Sequence, residues 1–189
     1  MTQNQNDNEQ MLLHLVQKGN KPAMKKMYES YIRYLGAICS RYIQDEEDVK
    51  DVLQESFLKI FASVNSFQYR GSGSLKGWMA KIVVNETLKF IKQNSQLTLT
   101  ELKHENGNII DDEPNTEGID PAVIHQMIRE LPDGYRTIFN LYVIEEKSHK
   151  EIAALLNIKE STSASQLHRA KMLLTEKIRE FQTLNPISL

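Results

Sequence analysis

SHKEIAALLNIKESTSASQLHRAKMLL, residues 148–174, carries the pattern of two helices joined by a tight turn. Ile152, Ala153, Leu155 and Leu156 give a short first helix an apolar face. Asn157 and Ile158 supply the turn, and Ser161 and Thr162 are suited to cap the next helix. Leu167, Ala170 and Leu174 then recur at three and four, the spacing of a core-facing stripe. Ala153 and Ala170 are small enough to let the two helices cross closely. This is the outline of a helix-turn-helix. The residues predicted to face outward from its second helix are Thr162, Ser165, Gln166 and Arg169, with Lys159 just before it. A helix fits the major groove of DNA, and hydroxyls and amides at its start reach base edges or phosphate. An ordinary helical hairpin is the plain alternative.

Working outward along the chain, the apolar residues mostly recur at three and four rather than at two. Its 189 residues suit one ordinary domain or two small ones, and 8 Gly and 5 Pro leave little room for turns. The predicted fold is all-α, two small helical domains joined by an acidic flexible linker. Charge locates the joint. Residues 21–95 carry a net +4, residues 96–121 a net −6 and residues 122–189 a net +1. The acidic strip QLTLTELKHENGNIIDDEPNTEGID lacks apolar periodicity and contains Gly107, Pro114 and Gly118. The expected divisions are a disordered tail over 1–10, a first domain over 11–94, the linker over 95–121, a second domain over 122–183 and a tail over 184–189. Helices are predicted over 11–18, 22–43, 45–64 and 75–93, then over 121–129, from Pro132 onward, over 148–156 and over 161–180.

Several function classes are disfavoured at this level. No apolar run approaches the roughly 18 residues of a membrane span. The opening MTQNQNDNEQ is polar and predicts no secretory signal. The single cysteine, Cys39, has no internal disulfide partner and sits beside Ala37 and Ile38, as a small core residue would. These features fit a cytoplasmic protein. His14, His104, His125, His149 and His168 have no metal-ligand spacing with Cys39, and no serine has a nucleophile-elbow setting. No catalytic residue, metal or cofactor is expected.

Three further stretches carry candidate chemistry. On the 45–64 helix, Val49, Val52, Leu53, Phe57, Ile60 and Val64 fall on one arc. Asp51, Gln54, Glu55 and Leu58 fall on the opposite one, an acidic and amide surface around one leucine. It is either a solvated face or a docking face for a basic helix. On the 75–93 helix, Lys81, Asn85, Lys89 and Lys92 lie within an arc of about 80°. Lysines there can track a phosphate backbone while the amide reads a base. Trp78, at the margin of this arc, is either core or a stacking platform. Before it, Phe67, Gln68, Tyr69 and Arg70 precede Gly71, Ser72, Gly73 and Ser74. Aromatic and amide groups on such a flexible loop can hold an unstacked base. GSGSLKG is no phosphate-binding P-loop, because it lacks the terminal GK[ST].

In this order, these features resemble the bacterial RNA polymerase sigma-70 family, in particular its extracytoplasmic-function subfamily. DVLQESFLKIF at 51–61 is similar to the family's polymerase-binding helix. SFQYRGSGSLKGWMAKIVVNETLKFIK at 66–92 is similar to the region that opens and reads the −10 promoter element. LPDGYRTIFNLYVIEEKSHKEIAALLNIKESTSASQLHRAKMLL at 131–174 is similar to the domain that reads the −35 element. The resemblance spans about residues 11–180. It implies an alternative sigma factor, a specificity subunit without catalysis of its own, with core RNA polymerase and promoter DNA as partners. It also implies an anti-sigma factor, often membrane-bound, that clamps both domains.

The resemblance assigns roles residue by residue. Asp51, Gln54, Glu55 and Leu58 dock on the polymerase's basic coiled coil. Phe67, Gln68, Tyr69, Arg70 and Ser72 capture a flipped base, and Trp78, Lys81, Asn85, Lys89 and Lys92 hold the −10 strand. Lys159, Ser161, Thr162, Ser165, Gln166 and Arg169 read the −35 duplex, and the acidic linker threads a channel built for a polyanion. Two departures stand out. The run after Asn85, ETLKFIKQNSQ, is less basic than the family often shows, and TSASQ at 162–166 lacks a common basic residue. A stand-alone helix-turn-helix regulator is the rival, and it leaves Leu58 and the aromatic loop without a purpose. A helical adaptor with a merely solvated basic stripe is the third reading.

Overall fold

The computed structural model describes residues 3–94 and 115–185. They divide into two compact units, one on each side of residue 95. Among the described residues every regular element is a helix. The predicted acidic linker lies outside the described residues as far as residue 114.

The first unit contains α1 (Gln3–Gln17), α2 (Lys21–Cys39), α3 (Glu46–Ser63) and α4 (Ser74–Asn94), with one three-ten turn, Val64–Ser66, after α3. Local chemistry fixes the starts. Asn20 Oδ1 accepts the Ala23 N–H at 2.9 Å, and Pro22 occupies the first turn of α2. Asp45 Oδ1 accepts the N–H groups of Glu47 and Asp48 at 2.9 and 3.0 Å ahead of α3. Helices α2, α3 and α4 pack against one another, and α1 lies on α2. Met27, Leu35, Cys39, Ile60, Leu75, Met79 and Val83 are buried as the core. Burial pushes the Cys39 thiol above its ordinary pKa, and Thr87 Oγ1 lies 3.4 Å from its sulfur. Such a thiol is a packing residue.

Helix α1 begins at Gln3, where a disordered tail over 1–10 was expected. The reason is tertiary. Glu9 accepts hydrogen bonds from Tyr31 and Tyr69, on α2 and after α3, which the local sequence does not announce. Met11, the expected starting residue, is exposed, so apolar character was a poor guide to the helix start.

The second unit contains α5 (Pro121–Arg129), α6 (Asp133–Phe139), a π-type turn at Asn140–Ile144, α7 (His149–Leu156) and α8 (Glu160–Leu184). Helix α8 is the spine, packed by α5, α6 and α7. Met127, Leu131, Ala170, Leu174 and Ile178 form the core, and Ile119 joins them. Residues 115–120, expected in the linker, therefore belong to the fold. Ile119 is the apolar residue of that polar run, Gln182 Nε2 donates to the Asn115 carbonyl at 2.7 Å, and Asp120 caps α5.

Helix α7 starts with a full capping box, Ser148 and Glu151 bonding reciprocally. It stops at Asn157, whose φ of 57° is the left-handed conformation that asparagine tolerates. Helix α8 then starts at Glu160 with no side-chain cap, so Ser161 and Thr162, expected to cap it, lie inside its first turn. Arg136 is buried and holds the junction before α6. Its Nη1 donates to the carbonyls of Arg129 and Leu131 at 2.9 and 2.8 Å, and its Nη2 to Asp133 at 2.7 Å.

Two stability predictions follow from these contacts. Arg136→Met leaves two carbonyls without this donor and should destabilise the second unit by about 3 kcal/mol. A denaturant titration followed by amide resonances of residues 121–184 reads this, and an unshifted midpoint would refute it. The backbone N–H of Ser148, with its hydroxyl, holds the Glu151 carboxyl below the ordinary carboxylate pKa. Its stabilising share is therefore complete above the unfolded-state pKa and disappears as pH falls through the lowered folded value. Glu151→Gln should lower the melting temperature of the second unit at pH 7, and the two proteins should converge on acidification.

Candidate docking face and nucleic-acid interface

The α3 surface stands as the helical period requires. Val52, Leu53, Phe57 and Ile60 are buried, and Asp51, Gln54 and Glu55 are exposed. Leu58 is 58% exposed, a large apolar residue on the same helical arc as Asp51, Gln54 and Glu55. Next to it in sequence, buried Phe57 packs on Tyr28 of α2 with ring centroids 4.6 Å apart, and Tyr28 is itself exposed. The face thus has an apolar centre and a charged rim, the anatomy of a docking patch.

On α4 the rotation is set by Leu75, Met79 and Val83, all fully buried. Lys81, Asn85, Lys89 and Lys92 are exposed along one edge. Asn85 also lines a shallow cleft of ≈ 380 Å³ with Lys59, Ala62, Ser63, Ile82 and Glu86. Trp78 is half-buried, and its ring lies 4.8 Å from that of Phe67 at an interplanar angle of 33°. The two rings therefore form a pair, each partly open to solvent.

The loop between α3 and α4 is tied down by side chains, whereas the sequence suggested flexibility. Gln17 Nε2 donates to the carbonyls of Val64 and Phe67 at 3.0 and 3.2 Å. Tyr69 donates its hydroxyl to Glu9 Oε2 at 3.1 Å. Ser74 Oγ accepts the Arg70 N–H at 3.1 Å and donates to the Gly71 carbonyl at 2.7 Å. Gly71 and Gly73 have φ of 108° and 81°, which a side chain would strain. Gln68, Arg70 and Ser72 are exposed on this frame.

The second unit corrects the expected set. Thr162 and Gln166 are only 4% and 3% exposed, so neither presents its side chain outward. The physical reason is that the buried face of α8 is wider than its apolar stripe. It extends through Ser163, fully buried with its Oγ 3.0 Å from His149 Nδ1, to the flanking Thr162 and Gln166. Small hydroxylated residues there serve the close helix contact. Lys159 and Ser161 are exposed, and Ser165 and Arg169 are half-buried. Ser165 Oγ donates to the Thr162 carbonyl at 3.1 Å, which leaves the oxygen able to accept. The exposed face also includes Ala164, His168 and Lys171, which sequence reasoning did not select. Placing Ser163 on the buried face would have moved the exposed set toward them, because Ala164, His168 and Lys171 lie about 80–140° around the helix from Ser163, on one flank. Exposed Tyr142, Val143 and Ile144 in the π-type turn were also passed over, as part of a predicted continuous helix. His149 stacks on the Tyr142 ring at 4.6 Å.

Comparison with known proteins assigns these units. A family model described as Sigma-70 region 2 matches residues 27–96, and one described as Sigma-70, region 4 matches residues 122–174. The ECF RNA polymerase sigma-E factor of Salmonella typhimurium (strain LT2) is 27% identical over 183 residues, covering 90% of this chain and 94% of that one. The ECF RNA polymerase sigma-E factors of Haemophilus influenzae and Escherichia coli (strain K12) are each 26% identical over 183 residues. Each match covers 90% of this chain, with 95% of the Haemophilus protein and 94% of the Escherichia protein. A solved structure described as "Structure of CnrH in complex with the cytosolic domain of CnrY" is 20% identical, with a TM-score of 0.45, covering 90% of this chain and 96% of that chain. No described helix is long and apolar enough to cross a membrane. With region 2 on the first unit, region 4 on the second and sigma-E factors aligned along nine-tenths of its length, the chain belongs to the sigma-70 family, as an alternative sigma factor of the ECF subfamily that acts with core RNA polymerase on promoter DNA to direct transcription initiation.

Proposed function

We propose that the two units divide the work of initiation between distinct faces. Asp51, Gln54, Glu55 and Leu58 of α3 dock on a basic helical surface of the core enzyme. The loop Phe67, Gln68, Tyr69, Arg70 and Ser72 captures an unstacked base of the −10 element. Trp78, Lys81, Asn85, Lys89 and Lys92 hold that strand. The observation that carries this reading is the exposure of Leu58 at the centre of an acidic face, on the same unit that turns a lysine and asparagine row outward along α4. One helix offers a surface for a cationic protein, and another offers one for a polyanion.

The second unit lies on duplex −35 DNA through the first turns of α8. Lys159, Ser161, Ser165 and Arg169 remain in the contact set, joined by Ala164, His168 and Lys171. Thr162 and Gln166 act from inside the fold, positioning α8 on α7. The chain supplies selection and leaves phosphodiester chemistry to the core enzyme, a division supported by its membership in a family of specificity subunits. It works in the cytoplasm, where it meets the polymerase, and is held there by an anti-sigma factor that covers both units, as the family resemblance implies.

In vitro transcription with core enzyme, this chain and a genomic DNA library, with start sites sequenced, tests the whole reading. A shared pair of upstream elements at the mapped starts is the expected result, and no initiation would sink it. Leu58→Asp combined with Glu55→Lys should weaken core binding by at least about 2 kcal/mol, the loss of a central anchor. Co-purification measures this, with circular dichroism confirming an intact fold; undiminished recovery of the complex counts against the docking face. On α8 the structure separates two kinds of substitution. Lys171→Ala should weaken binding to all duplexes alike and make it less salt-dependent. Gln166→Ala should instead lower the melting temperature of the second unit. A change of −35 base preference in Gln166→Ala, at unchanged stability, would return that residue to the DNA face.

A further inference from the structure

We propose that α1 is a brace that positions the base-capture loop, with Glu9 and Gln17 as its two positioning residues. The proposal rests on the reading that the Phe67–Ser74 loop captures a base. Leu13 and Val16 anchor α1 in the core of the first unit, both almost fully buried. Glu9 and Gln17 lie toward the same side as Leu13 and Val16, about 12 Å apart along the helix axis. Each reaches the loop. Gln17 Nε2 donates to the Val64 and Phe67 carbonyls at 3.0 and 3.2 Å, fixing the backbone beneath the Phe67 ring. Glu9 Oε2 accepts the Tyr69 hydroxyl at 3.1 Å, while Oε1 accepts the Tyr31 hydroxyl at 2.6 Å. The Glu9 carboxylate thus links three segments, α1, α2 and the loop.

The arrangement bears on function because of where the pinned residues lie. Phe67, held by Gln17, packs its ring at a tilt against Trp78, and Trp78 stands seven residues before Asn85 on the same side of α4. The aromatic pair is therefore fixed relative to the lysine and asparagine edge. Capturing an unstacked base requires the receiving ring to be in place beforehand, since ordering a loop at the moment of binding would cost affinity. A helix whose buried residues belong to the core, and whose two polar side chains hold the loop, provides that order. Glu9 and Gln17 touch no DNA in this scheme and act entirely through Phe67 and Tyr69.

The experiment uses holoenzyme assembled from core polymerase and the full chain. The probe is a fluorescein-labelled single strand carrying the −10 element of a mapped promoter. A second set of probes replaces each base in turn by an abasic site. The readout is the abasic penalty, the ratio of the two dissociation constants at the most sensitive position. For the parent protein a penalty of about tenfold or more is expected from the loss of one stacked base. Glu9→Ala, Gln17→Leu and Tyr69→Phe should each reduce it at least severalfold, with core binding unchanged. Glu9→Ala and Tyr69→Phe should be non-additive, because each breaks the same hydrogen bond. Tyr69→Phe removes one hydroxyl and keeps the ring, so it stands in if Glu9→Ala folds poorly. If Phe67→Ala abolishes the penalty but Glu9→Ala, Gln17→Leu and Tyr69→Phe all retain it, the brace is overturned and base capture stands. If Phe67→Ala also leaves it unchanged, base capture itself fails and the brace with it.

Discussion

Leu75, Met79 and Val83 recur every four residues along α4 and are fully buried. Once that stripe is inside, the rotation of the helix is fixed. Lys81, Asn85, Lys89 and Lys92 then stand at the surface together, and Trp78 comes to lie where Phe67 can cover it. A helix turned by one residue would move each side chain by about 100° and scatter this edge. The apolar stripe of α4 is thus the constraint through which packing gathers lysines and an asparagine on one exposed edge. The same logic holds on α3, where burying Phe57 and Ile60 leaves Leu58 and the acids outward.

Electrostatics is distributed to match. The net charge of −2 conceals a net +3 over residues 1–95, a net −6 over the acidic strip 96–121 and a net +1 over residues 122–189. Within the first unit the acids concentrate at the start of α3, where Asp45 accepts two backbone N–H groups and the helix terminus favours negative charge. Local helix chemistry and the docking face therefore draw on the same residue types.

The second unit shows how a close helix contact redistributes roles. Where α7 packs on α8, His149 approaches the small, fully buried Ser163 to 3.0 Å, and Ala153 of α7 is buried as well. The buried face of α8 includes Thr162 and Gln166 as well. Two polar side chains of α8 are thereby withdrawn from its exposed surface. The exposed face passes to Ser161, Ala164, His168 and Lys171, with Ser165 and Arg169 at its border.

The sequence by itself determined the helical class, the two units, the acidic strip between their main bodies, and the faces of α3 and α4. Each of these follows from periodicity or charge counted along the chain, and a stripe of large apolar residues has only one side to bury. Tertiary structure alone decided the rest. The side chain of Glu9 finds its partners 22 and 60 residues away, so nothing local marks α1 as extending to Gln3. The break of α6 into a π-type turn is likewise unmarked in LPDGYRTIFNLYVIEE, which is apolar on both sides of Asn140. On α8, small polar residues are equally compatible with a core crossing and with a groove. Only the packing of other helices around α8, which no single helix encodes, assigned Thr162 and Gln166 to the inside.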